Sequence, residues 1–363
     1  MVFSFKENRV RRAYLGGAQI DKFVGNEVAQ NGNRPEDWLA SVVTAFNPDY
    51  EPIPNEGLSI LENGEVFKSI IDKNPEAVFG KRLTNKYGGK SSILVKLLDS
   101  AERLVIQCHP TVDFAMEHFA SPFGKTECWY FLDTTPEASV YLGFKEGITK
   151  EKWVSLFEKQ DVEGMLNSLH RFPVKKGDLW FVDGGVPHAI GEGCFMIELQ
   201  EPSDLMVIPE RVTPSGRTLS DSKLHGGLGW DKMFDCFIYK GLSEEETKKL
   251  YYRKSVFESN KLSAVVDDSL TNKFSLSNLR VSGEATLNLG DIYSVCVVTS
   301  GECVLKCEGE ELNFKKGQSF FIGADSGELE FEGNAEIVMC SAVEKGFFTY
   351  EISFGNRFRW WSL

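Results

Sequence analysis

Residues 175–200 read KKGDLWFVDGGVPHAIGEGCFMIELQ, and this stretch decides the fold. Two apolar runs of strand length, LWFV and CFMIELQ, flank a Gly-Gly pair, a pattern that predicts β-structure broken by a tight turn. The stretch is expected to form a hairpin that sets His188 at the start of a new strand. The same text recurs at 315–328 as KKGQSFFIGADSGE, with the Lys-Lys-Gly, two aromatics and a Gly-containing turn. In that register Glu328 stands where His188 stands. Chance similarity of two hairpins is one explanation; the more economical is an internally duplicated β unit of which one copy lacks its histidine.

Working outward, SSILVKLLD (91–99), RLVIQCHP (103–110), ECWYFLD (127–133) and SVYLGF (139–144) are further strand-length runs separated by polar turns, as in a sandwich or barrel. TKEKWVSLFEKQDVEGMLNSLH (149–170) interrupts them. Its Trp153, Leu156 and Phe157 recur at helical spacing, and Thr149 and Asp161 are suited to cap two helices. ENGEVFKSIIDKNPEAVFG (62–80) reads as an amphipathic helix broken by Pro75. From Ser243 to Tyr252 a charged helix or linker marks the expected domain boundary. Beyond Lys254 short strands with regular turn residues predict a second all-β unit.

Composition narrows the function. A chain of 363 residues with 42% hydrophobic and 26% charged residues has enough apolar material for two domains. Its net charge of -13 and lack of a dense basic run argue against nucleic acid as a partner, so any anionic substrate needs a local positive site. The first seventeen residues lack the apolar run of a signal peptide, and no stretch matches a membrane span, which predicts a cytoplasmic protein. Eight cysteines without a CxxC read as incidental thiols rather than a disulfide framework.

Gln107 and His109 lie two apart in a predicted strand, so their side chains leave one face and converge. Glu127 opens the next strand and His188 begins another; a barrel brings such separated positions to one metal ion. Cys108 and Cys128, neighbours of these positions, point the other way. Two imidazoles, one carboxylate and one amide suit zinc, with iron, manganese, cobalt or nickel also compatible. His118, His170 and His225 have no partner spacing and read as structural or solvent-exposed.

LVKLLDS, QCHP, GKTECWYFLD, VPHAIGEG and MIELQEPSD together resemble the type I mannose-6-phosphate isomerases, a family of zinc-dependent cupins. The resemblance is strong from Lys96 to Asp204, weak over the first ninety residues and architectural beyond. It implies a mainly β chain of two cupin-type β-sandwich or barrel domains with a helical insertion. Residues 1–242 would form the metal-binding catalytic domain and 243–363 a metal-free one. It carries the metal ligands to Gln107, His109, Glu127 and His188, one zinc per chain, and adds Lys96, Lys125 and Glu198 to the pocket.

The activity implied is interconversion of mannose 6-phosphate and fructose 6-phosphate through a cis-enediol. Glu198 is then either the base or an ion-pair partner of Lys96 or Lys125. Trp38 either walls the sugar or belongs to the core. Two positions depart from the family. Val105 stands where a serine helps bind phosphate, and Ile208 where an arginine is usual, so another group must serve or the substrate differs. Arg211, together with Arg217, is the expected substitute. Alternatives are an isomerase of an unphosphorylated sugar and a non-catalytic sugar-sensing cupin. The chain is expected to act as a monomer or homodimer on a small sugar or sugar phosphate, with no nucleic-acid or membrane partner.

Overall fold

The computed structural model describes residues 1–258, 262–342, 349–354 and 357–362. It is a mainly β structure in which the long apolar runs form antiparallel sheets and the charged interludes form short helices. A seven-stranded sheet runs in the order Tyr252–Lys254, Asp178–Val182, Glu127–Thr134, Cys194–Gln200, Leu94–Ser100, Glu36–Leu39, Arg9–Val10. Opposite it stands a three-stranded sheet of Leu169–Pro173, Ser139–Phe144 and His188–Ile190. The rest of the chain builds a nine-stranded sheet around the long strands Phe274–Asn288, Ser294–Cys307 and Glu328–Ala342.

The helical interlude forms as its spacing predicts. Lys150–Lys159 and Val162–Asn167 are helices whose first turns are capped by the Thr149 hydroxyl and the Asp161 carboxylate. Pro75 sits at the first position of Pro75–Phe79, directly after the helix Phe67–Lys73 ends, where its missing N–H is not needed. The segment Glu244–Tyr251 is a helix closed by a capping box between Ser243 and Glu246.

Two readings of strand pairing change. The strands on either side of Gly184–Gly185 do not form a hairpin. Asp178–Val182 pairs with Glu127–Thr134 and Tyr252–Lys254, whereas His188–Ile190 crosses to pair with Ser139–Phe144. The glycines serve this crossing: a Cβ on Gly184 would lie 2.6 Å from the Pro110 carbonyl oxygen, and Gly185, at φ +86°, donates its N–H to His109 O at 2.7 Å. Nor does RLVIQCHP form a full strand. Gln107 exchanges two backbone hydrogen bonds with His188, and Cys108 two with Val207, on separate neighbours.

The repeated Lys-Lys-Gly text folds into the same turn twice. Asp178 N–H donates to Lys175 O and the Asp178 carboxylate accepts from Lys175 N–H, both at 3.0 Å. Gln318 does the same with Lys315 at 3.0 and 2.9 Å. Glu328, opposite His188 in this register, is exposed at the start of its strand. The interior around it is apolar, filled by Leu279, Leu305, Phe320, Phe331 and Ile337. Strand pairing also joins the two halves: Val2–Ser4 pairs with Ser319–Ile322 of the nine-stranded sheet. Among the described residues no helix is long and apolar enough to cross a membrane.

Tyr293 fastens the nine-stranded sheet to the seven-stranded one. Its buried hydroxyl accepts Ser92 N–H at 3.0 Å and shares hydrogen bonds with the Ser91 and Ser92 hydroxyls at 3.0 and 3.2 Å. Tyr293→Phe leaves the Ser92 amide unpaired, an expected loss of about 1–3 kcal/mol in urea unfolding; an unchanged midpoint would show that this cluster does not hold the halves together. Asp37 offers a second check. Burial pushes its carboxyl up to about 6 from an ordinary 3.8, against one hydrogen bond from Asn8 N–H. A pKa raised on folding contributes stability that is present below the unfolded value and lost as pH rises through the folded one. Asp37→Asn should therefore leave stability at pH 3.5 nearly unchanged and raise it at pH 7.5 by up to ~3 kcal/mol; equal effects at both pH values would assign the titration elsewhere.

Candidate active site

One row of residues crosses the seven-stranded sheet. Trp38 lies opposite Lys96, Lys96 opposite Glu198, Glu198 opposite Trp129 and Trp129 opposite Trp180. Directly opposed residues share a face, which settles the direction of Lys96: it points inward with Glu198. Residues two positions along each strand share that face too, and so Glu36 and Glu127 join the row. Cys128 and Asp37 project to the other side, where Cys128 is buried in the core shared with the nine-stranded sheet.

Three of the predicted ligands meet in one place. Ligand atoms of His109, Glu127 and His188 all lie within 4.8 Å of one another, and all three residues are fully buried. Each imidazole is oriented by its far nitrogen. His109 Nδ1 is 2.9 Å from Leu205 O and His188 Nδ1 is 2.9 Å from Val186 O. A carbonyl accepts only, so both Nδ1 atoms donate and both Nε2 atoms turn lone pairs to the centre. Glu127 stands between them, Oε2 at 3.2 Å from His109 Nε2 and Oε1 at 3.4 Å from His188 Nε2. Gln107 lies on the adjoining cavity wall, its backbone paired to His188.

The electrostatics fit a cation. Burial holds both imidazoles below their ordinary pKa, His188 down to about 3, so they are neutral at pH 7. Burial works to raise the Glu127 carboxyl, but Lys125 and the imidazoles outweigh it and keep it well below the usual carboxylate range. His188 Nε2 is buried with no hydrogen-bond partner among the described residues, an uncompensated lone pair that a metal would satisfy. His109 Nε2 is engaged by Lys125, whose ammonium donates to it at 2.6 Å and to Glu127 Oε2 at 2.8 Å. Neither nearby thiol joins this group: Cys108 Sγ contacts the His109 and Cys236 carbonyls at 3.6 Å.

Above the cluster a small cavity is lined by Gln107, Lys96, Lys125 and Glu198, and by four charged groups that sequence reading did not select: Arg12, Glu36, Asp204 and Lys223. Lys96 Nζ lies 2.9 Å from Glu198 and 3.7 Å from Glu36. Arg12 bonds Glu36 at 2.9 Å and forks onto both oxygens of Asp204 at 3.1 Å. Burial raises the Glu198 carboxyl above its ordinary pKa even against Lys96. Trp38 belongs to the core, donating its indole N–H to Glu36 at 2.7 Å and backing Lys96. Glu36 had a usable signal, since it lies two residues before Trp38 on the same strand. Lys223, on a five-residue helix Asp221–His225, had none.

Arg211 does not reach this cavity. Its backbone is fixed by Gln160 and Leu219, and its guanidinium turns outward to Asp221 at 3.1 Å and over the Trp230 ring at 4.5 Å. Arg217 stacks on Tyr50 and donates to Asp49 O. His118, His170 and His225 are likewise apart: His170 bonds Leu242 O at 2.8 Å, and His225 accepts from Gly227 N–H at 3.1 Å.

Comparison with known proteins bears on this geometry. The family model "Mannose-6-phosphate isomerase, cupin domain" matches residues 269–342. The mannose-6-phosphate isomerase ManA of Bacillus subtilis is 28% identical over 293 residues, covering 78% of this chain and 85% of ManA. A mannose-6-phosphate isomerase of Streptococcus mutans is 30% identical over 200 residues, 55% of this chain and 58% of that protein. The crystal structure of the mannose 6-phosphate isomerase from Bacillus subtilis superimposes with a TM-score of 0.70 at 22% identity, over 93% of this chain and 99% of that one, and so shares the fold.

The cluster makes a direct prediction. Protein loaded with zinc and desalted should retain about one ion per chain, and Glu127→Ala almost none when metal content is measured by mass spectrometry. A variant that kept its zinc would show that the imidazoles hold the ion without this carboxylate.

Proposed function

Because the chain is a type I mannose-6-phosphate isomerase-like cupin, and with it an aldose–ketose isomerase, we propose that it interconverts mannose 6-phosphate and fructose 6-phosphate through a cis-enediol. The observation that carries this reading is the buried His109–Glu127–His188 cluster, which Lys125 links to the Lys96–Glu198 pair. We assign the metal as zinc and its ligands as Gln107, His109, Glu127 and His188. The ion, when bound, supplies Lewis acidity toward the sugar oxygens.

The remaining chemistry belongs to side chains. Glu198 takes the proton from C2 of the aldose and returns it to C1 on the same face, while the O2 hydroxyl proton passes to O1; the two transfers together turn aldose into ketose. Its raised pKa improves it as a base, and Lys96, at 2.9 Å, keeps it ionised and oriented. Lys125 and a metal ion compete for the lone pair of His109 Nε2. We place the Lys125 ammonium on the developing enediolate oxygen once the ion is held, 4.0 Å from Glu198 as it already is.

We further propose that residues 1–242 are the catalytic unit and 243–363 a metal-free unit that lends the strand Tyr252–Lys254 to the catalytic sheet; residues 259–261, 343–348, 355–356 and 363 lie outside the described ones. The apolar filling around Leu279, Leu305 and Phe331 supports that division of labour. Eight free, buried cysteines support a cytoplasmic location. A second reading, isomerisation of an unphosphorylated sugar, is favoured by one observation: Val105 and Ile208 line the cavity within an apolar cluster with Leu219 and Leu224.

Zinc-loaded protein incubated with mannose 6-phosphate and, separately, with mannose should form ketose fastest from the phosphate; faster turnover of mannose would select the second reading, and turnover of neither would refute both. Glu198→Gln should lower kcat by roughly 10²–10⁴-fold while zinc content stays at the wild-type level. A Glu198→Gln enzyme of near-normal kcat would reduce Glu198 to an ion-pair partner of Lys96.

A further inference from the structure

Four cationic side chains line the cavity, and three of them are matched. Arg12 is held by Glu36 and Asp204, Lys96 by Glu198, and Lys125 by Glu127. Lys223 is different. Its side chain is as buried as the others, at 7% exposure, yet among the described residues no carboxylate stands at ion-pair distance from it. Its ammonium donates to the Phe46 carbonyl at 3.0 Å and lies 5.4 Å from the Phe46 ring. An ammonium carries three donors, and the backbone carbonyl takes one. The carboxylate that attracts it most strongly, Asp204, is already committed to both arms of Arg12 and to Phe46 N–H.

A buried ammonium without an ionised partner is costly, and such groups persist where a ligand completes them. The position is informative. Ile208 N–H donates to Leu224 O at 2.7 Å, so the helix Asp221–His225 hangs directly on the residue where the family resemblance expects an arginine. Ile208, Val105 and Lys223 all line the same cavity. The cationic group absent from position 208 is thereby supplied from position 223, across one backbone hydrogen bond.

We propose that Lys223 is the phosphate-binding cation of this site, holding the substrate's phosphate monoester in place of the serine and arginine that positions 105 and 208 lack. This rests on the sugar-phosphate reading above and names the residue that makes it workable. Phosphate oxygens replace the Phe46 carbonyl on the ammonium. Phe46 is 45% exposed, so its carbonyl passes to water rather than being stranded. Its N–H remains on Asp204, which keeps the segment seated at the cavity mouth.

The test uses zinc-loaded full-length protein with Lys223→Met and Lys223→Arg. Lys223→Met should raise KM for mannose 6-phosphate about ten- to a hundredfold, with a much smaller change in kcat. The ratio of kcat/KM for mannose 6-phosphate over mannose should fall by the same factor, and Lys223→Arg should recover most of it. Calorimetric titration with inorganic phosphate is the readout that does not depend on turnover: wild type binds, and Lys223→Met binds at least tenfold more weakly. If wild type turns over no mannose 6-phosphate but phosphate binding still depends on Lys223, the substrate reading fails and the site stands. Equal phosphate binding by wild type and Lys223→Met, or equal losses of kcat/KM with both sugars, would overturn the proposal. Should Lys223→Met not fold, Lys223→Gln takes its place in the same titration.

Discussion

The ion pair between Lys96 and Glu198 is the interaction on which the site depends. Both groups are buried in the middle of a sheet whose neighbours are tryptophans, where a lone charge of either sign would be untenable. Pairing them creates the next requirement. Lys96 also approaches Glu36, Glu36 needs Arg12, and Arg12 needs Asp204. Charges alternate along this chain from Glu198 to Asp204. Each link is fixed by a different strand or loop, so the network joins the sheet, the N-terminal segment and the loop after Gln200 into one rigid wall.

The same constraint explains why, among the described residues, the candidate site lies in one half of the molecule. Both halves repeat the Lys-Lys-Gly turn bond for bond, so the backbone scaffold is available twice. What differs is the inward face. In the half built on the seven-stranded sheet it presents Glu36, Lys96, Glu127 and Glu198; in the other it presents Leu279, Leu305, Phe331 and Ile337. A face with no buried charge needs no partners, can close completely on itself, and contributes stability instead of chemistry. Tyr293 then couples that stability to the strand that bears Lys96, because Ser91 and Ser92 immediately precede Leu94–Ser100.

Much of this was legible in the sequence, and the failures have physical causes. The convergence of His109, Glu127 and His188 was readable because Glu127 and His188 open strands, and His109 shares the parity of Gln107 beside a turn. The direction of Lys96 was not, since a strand buried on both faces has no alternation to read; only its register with Glu198 decides it. The Gly184–Gly185 turn looked like a hairpin because a tight turn between apolar runs usually is one. Its glycines instead answer to the Pro110 and His109 carbonyls, contacts 75 residues or so away in the chain. Arg211 and Arg217 were expected at the phosphate end because they follow Ile208 closely in sequence, but chain proximity does not measure distance in a cavity, and Lys223 gave no signal of its own.

Arg211 and Lys223 illustrate how a pocket changes its contacts without changing its fold. An arginine on the segment after Asp204 would project into the cavity from its wall; with isoleucine there, the wall joins the apolar cluster of Leu219, Leu224 and Val105. That cluster is apolar, and a long side chain entering past it keeps its charge only if its tip reaches a polar partner. Arg211 finds such a partner outside, in Asp221, and the faces of Phe157 and Trp230 hold it there. Lys223 is attached to the opposite side of the cluster and finds its partner inside, at Phe46 O. Burial lowers its pKa to about 8, so at neutral pH it is still mostly charged, and among the described residues no carboxylate stands at ion-pair distance from it. A dianionic ligand would be drawn to that end of the cavity, which places the opposite end of a sugar over Glu198 and the histidines.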